Sequence, residues 1–239
     1  MMNDVLTVRN LTKTYPAFTL DGVSFTVKAG SITGFIGRNG AGKTTTLKSL
    51  LNLVHPDSGE VCFFGLPWAG NEETIKPRIG FASGGTDWYP RKTVGQLARQ
   101  TAVFYPDWDG EAYRKYLSLF ALDERKQVRE LSEGMRVKFS LLLALSHHAE
   151  FLLLDEPTSG LDPVSRDELL TVFRGLADEG VAILFSTHIT SDLDKCADAI
   201  TYIKNGRIVA SEQKAAFIAA YGGGTLEEIM LQIEKGAAT

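Results

Sequence analysis

The chain has 239 residues, 44% of them hydrophobic and 23% charged, with a formal net charge of −4. That is room for one large domain, or a core with a subordinate lobe, at an ordinary globular composition. No apolar run approaches the roughly 20 residues of a membrane-spanning helix. The opening M-M-N-D-V-L-T-V has neither a basic leader nor a long apolar region, so the chain is expected to stay in the cytosol. Cys62 and Cys196 match no metal spacing and read as reduced thiols. A negative balance without a Lys/Arg cluster argues against nucleic acid as the main partner.

In chain order, residues 5–9 alternate as a strand, and residues 18–27, with D-G at 21–22, read as a strand pair. Tyr15 lies between them, either as a half-buried sheet aromatic or as a flat ring able to stack on an adenine face. Residues 32–36 (I-T-G-F-I) form a short apolar strand, then a glycine-rich loop runs into a helix over 44–53. After the turn H-P-D-S-G come a strand at 60–64 ended by Gly65, a short strand at 79–82, and the loop S-G-G-T-D-W-Y-P. From 93 to 148 the texture is helical, with helices over 93–105, 111–120 and 133–146. This block reads as a helical lobe, about residues 85–150, inserted between two halves of an α/β core. F-L-L-L-D-E-P at 151–157 suits a strand buried on both faces of a mostly parallel sheet. Pro163 opens a helix to 178, followed by a strand at 181–186, a helix at 189–196 and a strand at 199–203. N-G at 205–206 makes a hairpin to a strand over 207–210, and residues 211–235 form a helical tail hinged at G-G-G, 222–224.

The chemistry concentrates at residues 37–45, G-R-N-G-A-G-K-T-T, between that strand and that helix. Strand, glycine loop and helix in this order make a phosphate-binding P-loop. Gly37, Gly40 and Gly42 let the backbone curl so that N–H groups, including those near Asn39 and Ala41, point at one anion. The helix behind adds its positive dipole end. Lys43 supplies a cation for β- and γ-phosphates, and the hydroxyl of Thr44, which Thr45 follows, is placed to hold Mg²⁺. Asp155 and Glu156 leave a buried strand together, so one can hold Mg²⁺ through water and the other can orient the attacking water. L-S-E-G-M at 131–135 opens a helix, with Ser132 suited to cap it, and a helix start is also an anion site.

These motifs, with S-G-L-D at 159–162 and His188 after the next strand, resemble the ATPase subunit of an ABC transporter over nearly the whole chain. The resemblance implies an α/β P-loop NTPase fold with a mixed β-sheet core, an N-terminal antiparallel β subdomain and the inserted α-helical subdomain. All of residues 1–239 would form one ATP-binding domain, with a C-terminal helical tail at about 211–239. It further implies that residues 37–45 are the Walker A loop, Asp155 and Glu156 the Walker B pair, Ser132 and Gly134 the signature motif, and residues 159–162 the D-loop. His188 would be the switch histidine touching the γ-phosphate, and Tyr15 the adenine-stacking aromatic. His55, His147 and His148 match nothing and read as structural. ATP and Mg²⁺ would be bound between two head-to-tail cassettes, identical or different. Each site would join one subunit's P-loop to the other's L-S-E-G-M. The expected partner is an integral membrane permease, which places the chain at the cytoplasmic face of the membrane.

The signature L-S-E-G-M, with F-Y-P-D-W-D upstream and S-T-H at the switch, is similar to bacterial exporter cassettes of the ABC-2 and bacitracin/acetoin-efflux kinds. One departure concerns the Q-loop, where Gly84 stands in place of a glutamine and Asp87 is the nearest carboxylate. A glycine cannot ligate Mg²⁺ through a side chain, so slow or partner-dependent hydrolysis is expected. The aromatics Phe81, Trp88, Tyr89, Phe104, Tyr105 and Trp108 either fill a core or line a groove for a permease helix. Two competing readings are a soluble ABC ATPase acting on an assembly or nucleic-acid partner, and a nucleotide sensor without turnover.

Overall fold

The computed structural model describes residues 3–83 and 89–236. Its elements are β1 (Asp4–Tyr15), β2 (Phe18–Lys28), β3 (Ile32–Ile36), α1 (Lys43–Leu50), β4 (Ser58–Phe63), β5 (Leu66–Pro67), α2 (Glu72–Ile75) and β6 (Ile79–Ser83). Then follow α3 (Val94–Ala102), α4 (Gly110–Leu119), α5 (Glu133–Ser146), β7 (Phe151–Asp155), α6 (Pro163–Asp178), β8 (Ala182–Thr187) and α7 (Thr190–Cys196). The chain closes with β9 (Ala199–Lys204), β10 (Arg207–Gln213), α8 (Lys214–Ala220) and α9 (Leu226–Glu234).

Among the described residues the strands form two sheets, ordered β2-β1-β4-β5 and β10-β9-β3-β8-β7-β6. The first is antiparallel throughout. The second is mixed, because β9, β3, β8, β7 and β6 run parallel while β10 pairs antiparallel with β9. The runs without polar alternation become its central strands, as expected where both faces are covered. All of β3 and all of β8 is buried. Alternation then divides each strand between two cores. Leu152, Leu154, Ile183, Phe185 and Tyr202 face the helices, packing with Phe139, Phe173, Leu193 and Ile229. Phe151, Leu153, Ala182, Leu184 and Ile203 face the antiparallel sheet and α1, packing with Leu6, Leu20, Phe63 and Leu47. Three layers result, with the parallel strands in the middle.

The Phe173 ring, fully buried, meets Phe185 edge-on at 5.6 Å. Phe173→Ala should therefore cost about 3–5 kcal/mol through lost burial and the cavity left behind. Chemical denaturation checks it, as a lower midpoint at unchanged slope.

Several boundaries differ from expectation for identifiable reasons. D-G at 21–22 is not a hairpin turn. Residues 18–28 form one strand, and Gly22, at φ 61, sits in an irregular stretch of its pairing with β1. Asp21 N donates to Gly206 O at 2.8 Å and Gly22 N to Thr12 Oγ1 at 3.2 Å, so distant partners take the donors that a local turn would use. β10 runs to Gln213, past the expected 210, because Ser211 and Gln213 pair with Thr201 and Ala199; the helical tail starts only at Lys214. Helix α1 stops at Leu50 and α3 at Ala102, each short of the expected end. Residues 66–78, too short and weak to read, hold β5, α2 and one 3-10 turn. The N-G hairpin forms, with Asn205 at φ 49 and Gly206 at φ 78.

Candidate functional site

The loop after β3 is held by contacts that leave no room for a side chain at Gly37 or Gly42. A Cβ on Gly37 would lie 2.4 Å from Ile203 O, and one on Gly42 would lie 2.9 Å from the Phe18 ring. Gly42 is also at φ 115, where L-residues are strained. It is the N-cap of α1 and offers no side-chain cap, so the first N–H groups of that helix remain for an external anion. Ala41 O accepts from Gly206 N at 2.9 Å, which ties the loop to the β9–β10 hairpin. Lys43 is buried and folded back, with Nζ donating to Gly37 O at 2.7 Å. Burial pulls its pKa down, opposed by the charges of Glu156 and Asp155.

Parallel pairing of β3 with β8, and of β8 with β7, brings three strand ends to one edge of the sheet. Asp155 ends β7, and its Oδ1 accepts from Ser186 Oγ of β8 at 3.1 Å. Glu156 follows at φ 50, a conformation costing about 1 kcal/mol or more for a non-glycine residue. Its N–H donates to Ser186 O at 2.9 Å. The carboxylate lies 3.8 Å from Lys43 Nζ through Oε1. Through Oε2 it is 2.9 Å from His188 Nδ1 and accepts from His188 N at 3.3 Å. Lys43, Asp155, Glu156 and His188 are thus one connected cluster.

Burial pushes the Asp155 carboxyl above its ordinary pKa of 3.8, and Glu156 adds to this; the Ser186 hydrogen bond, Lys43 and Lys48 oppose it. A carboxyl raised by folding contributes stability that is full below its ordinary pKa and is lost as pH rises through the raised value. Asp155→Asn keeps an acceptor for Ser186 and removes the half-buried charge. It should raise Tm at pH 7, with the gain shrinking to nothing as pH approaches 3, which a scanning-calorimetry pH series measures.

An open cleft of about 530 Å³ fronts the loop, lined by Arg38, Asn39, Gly40, Gly42, Lys43, Thr44, Thr45 and Glu156, with Ala17 and Phe18 as its far wall. Ala41 is buried beneath it. Tyr15 ends β1 and is 39% exposed, with Lys13 Nζ 5.9 Å from its ring centroid. It does not line this cleft, whereas Phe18, its pairing partner across the turn, does. Ser132 and Gly134 are not in the cleft either. Ser132 caps α5, its Oγ accepting from Met135 N at 3.3 Å, and Gly134 faces Leu161. In the segment 159–162, Asp162 caps α6 by accepting from Val164 N and Ser165 N. Gly84, Asp87 and Trp88 lie outside the described residues. His147 stacks on Tyr105 at 3.8 Å.

Sequence reasoning missed Ser186, Arg38 and Phe18. A polar residue near the end of an apolar strand was a signal for Ser186. Phe18 carried none, because it enters from the other sheet.

A family model described as "ABC transporter" matches residues 20–159. The chain is 34% identical over 212 residues to the bacitracin transport ATP-binding protein BcrA of Bacillus licheniformis, covering 87% of this chain and 69% of that one. It is 36% identical over 231 residues to the Nod factor export ATP-binding protein I of Burkholderia lata, covering 92% and 75%. A solved ATP-binding subunit of an ABC transporter superposes with a TM-score of 0.87 at 27% identity, covering 96% of this chain and 99% of that one. With the P-loop, the paired carboxylates and the mixed sheet in their places, the chain belongs to the ABC transporter family, as one of its ATP-hydrolysing subunits.

Proposed function

We propose that this subunit drives efflux through a separate membrane permease. In this reading it works as one of two head-to-tail cassettes on the cytoplasmic face of the membrane. The observation that carries the catalytic reading is the cluster of Lys43, Glu156 and His188 at the mouth of the phosphate cradle. The export direction is supported by the names of the relatives, which describe bacitracin transport, Nod factor export and linearmycin resistance. Among the described residues no helix is long and apolar enough to cross a membrane, so the transport path would belong to another chain.

Lys43 exchanges Gly37 O for β- and γ-phosphate oxygens as the nucleotide enters. Glu156 takes the proton of the attacking water, and His188 holds that carboxylate while its ring faces the γ-phosphate. No group of three or more potential metal-ligating side chains exists among the described residues. The donors fit Mg²⁺ nonetheless, because that ion is usually held by one or two protein oxygens plus substrate phosphates. Thr44 and Asp155 would supply those oxygens, and the ion would neutralise charge building on the phosphates. Ser132 and Gly134, outside the cleft of their own chain, are left to complete the site of a second cassette.

The permease would dock beside β6 and α3. A groove of about 340 Å³ there is lined by Leu53, Trp68, Phe81 and Tyr105 among others. Near it in sequence, Tyr89 and Phe104 are 72% and 79% exposed. Phe104→Asp should therefore stop recovery of the permease with this chain in detergent while leaving ATP affinity within twofold. The function as a whole is tested by Mg²⁺-dependent ATP hydrolysis in that detergent complex. Recovery of active chain only with soluble partners would instead favour an ATPase of assembly or nucleic-acid work.

A further inference from the structure

The last helix of the described chain reaches the phosphate cradle. α9 buries Leu226, Ile229 and Ile233 against the helical face of the larger sheet. Its C-terminal end is fastened to β9, where Lys204 Nζ donates to Ile233 O at 2.8 Å, a cation satisfying a terminal helix carbonyl. The Tyr202 hydroxyl of the same strand donates to Glu234 Oε1. The same strand end also abuts the P-loop, since Ile203 O is what a Cβ on Gly37 would strike. Glu234 Oε2 lies 3.7 Å from the Arg38 guanidinium, the carboxylate side chain being 15% exposed and the arginine 70%. Arg38 lines the same cleft as Lys43, Thr44 and Thr45.

We propose that Arg38 is a second phosphate-directed cation of the nucleotide cleft, and that Glu234 is a positioning residue that competes with the nucleotide for it. The inference rests on the nucleotide reading of that cleft. A pair this long and this exposed on one side is weak, so the several negative oxygens of an arriving triphosphate draw the guanidinium away. Glu234 cannot follow, because Tyr202 and Lys204 hold it and its helix end to β9. The tail therefore sets how readily Arg38 is given up. By reciprocity, a nucleotide that takes Arg38 loosens the last turn of α9.

The test uses the full chain, a fluorescent ATP analogue, and four variants. Lys43→Ala reports on the cradle itself: binding by the native chain that this variant loses upholds the nucleotide reading. Glu234→Gln should lower Kd about three- to fivefold, and Arg38→Ala should raise it by a similar factor. In the Arg38→Ala background, Glu234→Gln should change nothing. ATP should also speed hydrogen exchange of the amides at 231–234 in the native chain but not in Arg38→Ala. Arg38 is exposed, so that variant keeps the fold even where a tail variant does not. An unchanged or higher Kd for Glu234→Gln would overturn the proposal, as would a gain that persists without Arg38. Both results would leave the Lys43 reading standing, whereas no binding by the native chain would overturn the two together.

Discussion

Lys43→Ala is expected to lower ATP affinity about 100-fold or more with the fold intact. The side chain makes a 2.7 Å bond to Gly37 O and lies 3.8 Å from Glu156, so it is already at the mouth of the cradle. Charge-assisted hydrogen bonds contribute about 1.5–3 kcal/mol each, and loss of two toward phosphate reaches roughly two orders of magnitude in Kd. A second effect has the same sign. Without the ammonium, the charges of Asp155 and Glu156, which Lys43 offsets in the native chain, would repel the incoming phosphates more strongly. Isothermal titration calorimetry measures the loss, with circular dichroism as the control on folding. Affinity within threefold of the native chain would sink the assignment of this loop.

Glu156→Gln is expected to cut turnover by about 10²–10⁴, the contribution of a positioned general base, while binding persists. The amide oxygen of glutamine can still accept from His188 N, the bond that Glu156 Oε2 accepts at 3.3 Å. Backbone geometry is kept as well, because Glu156 N remains bonded to Ser186 O. What disappears is the ability to take a proton. If ATP lies between two cassettes, stalled hydrolysis should trap the closed pair, seen by light scattering as a mass doubled by ATP. A variant that hydrolyses at the native rate would contradict the base assignment. One that stays monomeric with ATP would contradict the shared site.

How much of this could be read in advance depended on range. Central strands announced themselves because burial on both faces demands unbroken apolar runs, as in β7 and β8. Helices α5 and α6 started where expected because Ser132 and Asp162 carry their own capping oxygens. The clustering of Lys43, Asp155, Glu156 and His188 was legible for a topological reason: each lies at the C-terminal end of a strand of one parallel set or in the segment that leaves it, and those ends meet at a common edge. By contrast, D-G at 21–22 carried a strong local turn signal that long-range partners overrode. Phe18 reaches the cleft from a different sheet, and Glu234 meets Arg38 from the far end of the chain. No local pattern encodes either contact. Tyr15 fitted its motif position, yet its neighbour across the turn is the aromatic that walls the cleft.

The position of β3 in the larger sheet bears on how the protein comes into being. Both neighbours of this strand, β8 and β9, are made about 150 residues later, since Ile32 pairs with Ile183 and Thr33 with Ala199. Gly206 must also be present to bond Ala41 O. At roughly 5–20 residues per second, a ribosome therefore holds the finished P-loop sequence for on the order of ten seconds before its supports emerge. Pairing at such separation is slow in itself. ATP thus cannot guide the early steps of folding, and it can reward only a chain whose last parallel strand is already in place.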